Sequence, residues 1–143
     1  MNPYSPQSKI AAYRSVSAHG AVADNHPHAL VLTLFDAAIE RMNAARACIE
    51  NDETRRMAGL LHAAVVLIAE LRGSLDLQKG GPLAQNLSNL YEYMTRRLMH
   101  ANLNSDAAAV AEVAGLLGEI RSAWAAIGPE VRQQTPPAVT SAA

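Results

Sequence analysis

The chain has 143 residues and a mass of 15.2 kDa, and 50% of it is hydrophobic, enough for the buried core of one domain and too apolar for a disordered chain. Lysine and arginine total 12 against 13 aspartate and glutamate, a net charge of -1, so no long-range basic field is available to hold nucleic acid. Aromatic residues contribute 4% and alanine alone 28 residues, a balance that favours helices and excludes an all-β domain.

The single cysteine, Cys48, cannot form an internal disulfide, and neither end carries a basic stretch followed by an apolar signal region, which points to a reducing cytoplasm. The most apolar run, Met57 to Ala69, is broken by His62 and stops at Glu70 and Arg72. It falls short of the roughly 20 residues that span a bilayer, so no membrane insertion is expected.

In chain order, residues 1–26 read as an amino-terminal arm rich in proline and serine. Within it Ile10, Tyr13 and Val16 are three apart, so a turn or two of helix would present them together as a small docking patch. Residues 27–127 carry the bundle. Pro27 suits the opening position of a helix running to about Glu50, along which Val31, Phe35, Ala38, Met42, Ala45 and Ile49 form one seam by alternating four-three spacing. Asn51 and Asp52 are expected to cap the second helix, whose seam is Met57, Leu61, Ala64, Ile68, Leu71 and Leu75. Lys79 to Pro82 reads as the reversal before a third helix, with Leu83, Leu87, Leu90, Met94, Leu98 and Ala101 on one face and Tyr91 beside them. Residues 102–106 supply caps for a fourth helix, with Val110, Val113, Leu117, Ile120, Trp124 and Ile127 as its seam, stopped by Gly128 and Pro129. Residues 128–143 read as a flexible tail. Four such segments on short connections describe an all-α fold, an antiparallel up-down four-helix bundle.

No constellation carries catalysis. The inward Glu-x-x-His pairs of di-metal bundles are absent, and of five histidines only His26 and His28 are close, at a spacing that faces opposite ways on a helix. No metal or other cofactor is expected, and the protein does not read as an enzyme. His62 suits a phosphoryl carrier of the histidine phosphotransfer type, the alternative function, but an ordinary half-buried histidine explains it more simply. Asp36 and Glu40 lie one turn apart with no second catalytic group nearby and read as facing water. Arg96 and Arg97 read as a solvated helix face open to a partner, Cys48 as an interior residue, and Gly80 and Gly81 as a turn.

The apolar residues are more informative. ALVLTLFDAAI and MAGLLHAAVVLIA are apolar at nearly every position, beyond the roughly three-sevenths face that one core requires. Two readings follow: alanine fills helix surfaces in two central helices, or a groove awaits a partner helix, with Ile10, Tyr13 and Val16 as a removable plug.

The segments LTLFDAAIERMNAA, LIAELRGSLDLQKGGPLAQNLSNLYEYMTRRLMHANLNSD and AEVAGLLGEIRSAW resemble, in order and spacing, the flagellin-specific export chaperones of the FliS family. Tyr13 with Ser15 and Val16 is similar to that family's amino-terminal motif, and the resemblance runs from Ile10 to Ile127. It implies a chaperone of the bacterial cytosol that binds the carboxy-terminal segment of flagellin, keeps it from polymerising and presents it, as a complex, to the flagellar type III export gate without consuming nucleotide. It further implies that Ile10, Tyr13 and Val16 cover the binding site in the free protein, and that Leu71, Leu75, Leu87, Tyr91, Met94 and Leu98 help to wall it. The chain departs from the family pattern at His26, where serine or threonine usually precedes the proline, and at Ala37, where a glycine is common. Inside a helix the second exchange stabilises by roughly 0.5 to 1 kcal/mol.

Overall fold

The computed structural model describes residues 28–127, which form four helices: α1 His28–Glu50, α2 Thr54–Gly73, α3 Leu77–Asn104 and α4 Ala107–Ile127. Each packs on its chain neighbours and α1 also packs on α4, so the four close into the antiparallel bundle that the periodicity predicts. The expected arm and tail, with Ile10, Tyr13 and Val16 and with the opening proline at Pro27, lie outside the described residues.

The interior is made by the four-three seams. Val31, Phe35, Ala38, Met42 and Ala45 of α1 meet Met57, Leu61, Ala64, Ile68 and Leu71 of α2, and Val110, Val113 and Leu117 of α4 complete the layer. Cys48 takes the last buried place on α1, and Ile49 beside it is half-buried. Ala38 and Ala64 near the centres of the α1 and α2 seams let those helix axes approach closely, and methionine fills the irregular space left over.

The ends of the helices differ from the sequence reading in two places. Asp52 does not cap α2. It adopts a left-handed φ of 57° and closes α1 instead, with the amide of Glu53 donating to the carbonyl of Cys48 at 2.9 Å, a Schellman-type ending. The residue before α2 is Glu53, which makes no side-chain cap. Short polar side chains serve both roles, so composition alone does not separate a start from a stop. Ser105 ends α3 in the same way at φ 49°, while Asp106, as expected, caps α4 by accepting from the amide of Ala109 at 3.1 Å.

The second difference is the reversal between α2 and α3. It falls at residues 74–76, ahead of the expected glycines, because Asp76 caps α3 by accepting from the amides of Gln78 and Lys79 at 3.1 and 3.0 Å. Gly80 and Gly81 lie inside α3 as a kink. Gly81 holds φ 54° and ψ -136°, a conformation closed to side-chain-bearing residues, and a Cβ on Gly80 would stand 2.5 Å from that of Ala84. Pro82 restarts the helix, where its missing N–H costs nothing.

Candidate functional site

Two stripes one residue apart run along the first half of α3: Leu83, Leu87 and Leu90, and Ala84, Ser88 and Tyr91. Both have four-three spacing and both lead into Met94 and Leu98. The more hydrophobic stripe is the one the sequence reading turns inward, yet the structure buries Ala84, Ser88 and Tyr91. The small side chains of Ala84 and Ser88 seat the start of α3 on α2, where the Nε of Arg72 donates to the hydroxyl of Ser88 at 2.8 Å and Nη2 reaches Glu92 at 3.3 Å. A polar interior position with a satisfied hydroxyl thus outcompetes leucine at this end of the bundle.

The leucines are displaced towards α4. Arg97, one stripe with Leu90 and Leu83 at intervals of seven, donates to Glu112 of α4 at 2.9 Å, and the hydroxyl of Tyr93 donates to the same carboxylate. Glu112 in turn shares its side of α4 with Leu116 and Ile120. The α3–α4 seam is therefore an apolar band: Leu87, Leu90, Leu116 and Ile120 rest half-buried on the core, and Leu83 at the open end is 49% exposed. Leu75, half-buried, and Leu77, 48% exposed, stand at the reversal beside that end.

The polar clasp closes the other end. The Tyr93 hydroxyl bond, followed by the bond from Arg97, holds the Glu112 carboxyl below the usual glutamate range, and the same contact pushes the Tyr93 hydroxyl up. Near neutral pH the clasp is a carboxylate with two donors, and it leaves the band itself free of charge. The chemistry on offer is apolar docking, with no nucleophile, base or metal set in the band. Among the described residues no three His, Cys, Asp or Glu side chains gather to hold a metal, and no helix is long and apolar enough to cross a membrane.

Of the residues expected to wall a site, Leu75 and Leu87 reach the surface. Leu71, Tyr91, Met94 and Leu98 lie in the interior, so a ligand would meet them only from outside the layer they support. Periodicity places Leu83, Leu90 and Ile120 in the interior and does not single out Leu116, because it does not choose between adjacent stripes. On α1 and α2 the surplus apolar residues, Leu34, Ile39, Leu60, Val65 and Val66 among them, are half-buried against the core, and none is fully exposed. Among the described residues every exposed large apolar side chain, Leu77, Leu83, Met99 and Leu103, belongs to α3.

The remaining candidates resolve simply. His62 is exposed, not half-buried. Asp36 does not partner Glu40 but takes a two-toothed contact from Arg121 of α4 at 2.9 and 3.4 Å, tying α1 to α4. Arg96 pairs with Glu92 one turn back at 2.7 Å, and Cys48 is buried as expected. Trp124 and His28 stack at 5.0 Å, the indole donating to the carbonyl of His28 at 3.1 Å, which pins the start of α1 to the end of α4.

Compared with known proteins, residues 9–131 match the family model described as Flagellar protein FliS. The chain is 43% identical over 128 residues to the Flagellar secretion chaperone FliS of Salmonella typhimurium, covering 89% of this chain and 95% of that one. It is 39% identical over 112 residues to the Flagellar secretion chaperone FliSB of Pseudomonas aeruginosa, covering 78% and 89%, and 32% identical over 118 residues to the FliS of Bacillus subtilis, covering 82% and 84%.

Proposed function

Because the chain belongs to the FliS family of flagellar secretion chaperones, we propose that it binds the carboxy-terminal segment of flagellin along the α3–α4 band, holds it apart from other flagellin chains and delivers it to the flagellar export apparatus. The observation that carries this reading is the continuous apolar band of Leu83, Leu87, Leu90, Leu116 and Ile120 along the α3–α4 seam, which a mostly neutral, amphipathic segment could cover. A disordered ligand ordering there gains from each apolar side chain it shields, at about 25 cal/mol per Å² removed from water, and no covalent step is required. Ile10, Tyr13 and Val16 act in this reading as a cover for the same surface, displaced when flagellin arrives.

The test is a calorimetric titration of the full chain with the carboxy-terminal segment of flagellin. One-to-one binding with a large negative heat-capacity change and a gain in helical circular dichroism is the expected result. Exchange of Leu83 and Leu87 for alanine weakens it by about ten-fold or more, as expected for apolar anchors in an interface, and exchange of Ile10 and Tyr13 for alanine tightens it by removing a competitor. Absence of heat and of co-migration would remove the proposal. The phosphoryl-carrier alternative gains only accessibility from an exposed His62. Acid-labile phosphate on the wild type, lost in His62→Gln, would be its signature.

A further inference from the structure

The other side of α3 carries the two most exposed large apolar residues among those described. Met99 is 58% exposed and Leu103 84%, and with Glu92 and Arg96 they form one stripe at intervals of four, three and four. Arg72 of α2 reaches Glu92, so this stripe borders the α2–α3 seam, nearly half a turn of α3 away from the Leu83–Leu90 band. The matching stripe of α2 is Arg55, Ala58, His62, Val65, Ala69 and Arg72, of which Ala58 and Val65 are half-buried. Because the helices are antiparallel, Met99 and Leu103 stand beside the amino-terminal half of that stripe.

The charge on this face is unbalanced. Arg72 and Arg96 share the single carboxylate of Glu92, and Arg55 makes no ion pair with the described residues, so three guanidinium groups flank the apolar strip against one acid. We infer that the Arg55–Arg72 face of α2 and the Glu92–Leu103 face of α3 form a second docking site, which takes an acidic amphipathic helix of a partner protein. The seam between two helices is a natural seat for a third, and α2 offers about 25 Å of it from Arg55 to Arg72 at 1.5 Å per residue. Met99 and Leu103 contact the partner's apolar face, and Arg55 and Arg96 meet carboxylates on its flanks. The chain's own segments lack the required charge: residues 1–27 carry Lys9 and Arg14 against Asp24, and residues 128–143 carry Glu130 against Arg132. This site stands independently of the flagellin reading.

The experiment is a titration of the isotope-labelled full chain, followed by amide resonances, with a synthetic helix of about 18 residues whose leucines repeat at i, i+3, i+4 and i+7 between glutamates, and with the same peptide carrying lysine for glutamate. Saturable shifts confined to residues 55–72 and 92–103 are expected for the acidic peptide alone, weakening by about ten-fold in Leu103→Glu and in Arg55→Glu. Both residues are exposed, so circular dichroism and thermal midpoint verify that the variants stay folded. Equal binding of the lysine peptide, shifts on the α3–α4 band, or variants that bind as tightly as wild type would overturn the inference. A concentration-dependent mass in sedimentation that Leu103→Glu abolishes would overturn it too, by giving the face to a second copy of the chain.

Discussion

The α1–α2 hairpin and α3 are written with the same four-three spacing and end in opposite states. Among the described residues α1 and α2 expose no large apolar side chain, whereas α3 leaves Leu77, Leu83, Met99 and Leu103 substantially in water. The difference lies in what fills the interior positions. On α1 and α2 the large residues themselves face inward, with alanines at the close approaches. At the start of α3, Ala84 and Ser88 occupy the inner face and the leucines are turned to the edge. The hairpin turns its large apolar residues inward, whereas α3 leaves part of its own in water.

That contrast makes the two regions separable by mutation. Met42→Ala opens a cavity at a fully buried position of α1 and lowers unfolding free energy by about 2–5 kcal/mol in urea titration, with no change in the flagellin affinity of the folded protein. Leu83→Ala is the reverse case. Its stability cost stays near 0.5 kcal/mol, about that of a surface change, while affinity for the flagellin segment falls. A result in which both variants lose stability equally would erase the distinction. Gly81→Ala forces a side chain into φ 54° and ψ -136° and costs about 1–3 kcal/mol. It reads out as a lower thermal midpoint, and it shows whether the kink is required to place the leucines at the edge.

The smallest effect at neutral pH belongs to Tyr91→Phe. The Tyr91 hydroxyl is buried without a hydrogen-bond partner among the described residues, and burial pushes its pKa up to about 12. Between pH 10 and about 12 the unfolded chain ionises this group while the folded chain does not, so the folded state holds more protons and stability falls as pH rises. Wild type therefore loses stability over that window more steeply than Tyr91→Phe, which is near neutral or slightly stabilised at pH 7. Urea titrations of both proteins at pH 8 and at about pH 11 would measure it.

The class of fold was legible in the sequence because four seams of matching period, separated by breakers, admit few other arrangements. The buried residues of α1 and α2 are nearly those of the expected seams, with Cys48 in place of Ile49 and Leu67 added, whereas on α4 Val110, Val113 and Leu117 are buried and Ile120, Trp124 and Ile127 only half-buried. On α3 two candidate stripes differ by a single position, and the choice between them rests on a tertiary contact, Arg72 with Ser88, that no local pattern encodes. Asp52 and Asp76 carry the same lesson for helix ends. A short polar residue next to a helix signals a boundary, but whether it closes the helix before or opens the one after depends on the backbone conformation that packing imposes. The resemblance reached the family without any of these details, through GGPLAQNLSNLYEYM and RRLMHANLNSD. It could not say which side chains of those segments face outward.

Hydrogen exchange of the full chain, measured alone and with the carboxy-terminal segment of flagellin, tests the division most directly. Protection on binding is expected to concentrate in residues 83–90 and 116–120, with the α1–α2 interior already protected in the free protein and unchanged. Protection gained chiefly in α1 and α2, with the α3–α4 band unaffected, would contradict it.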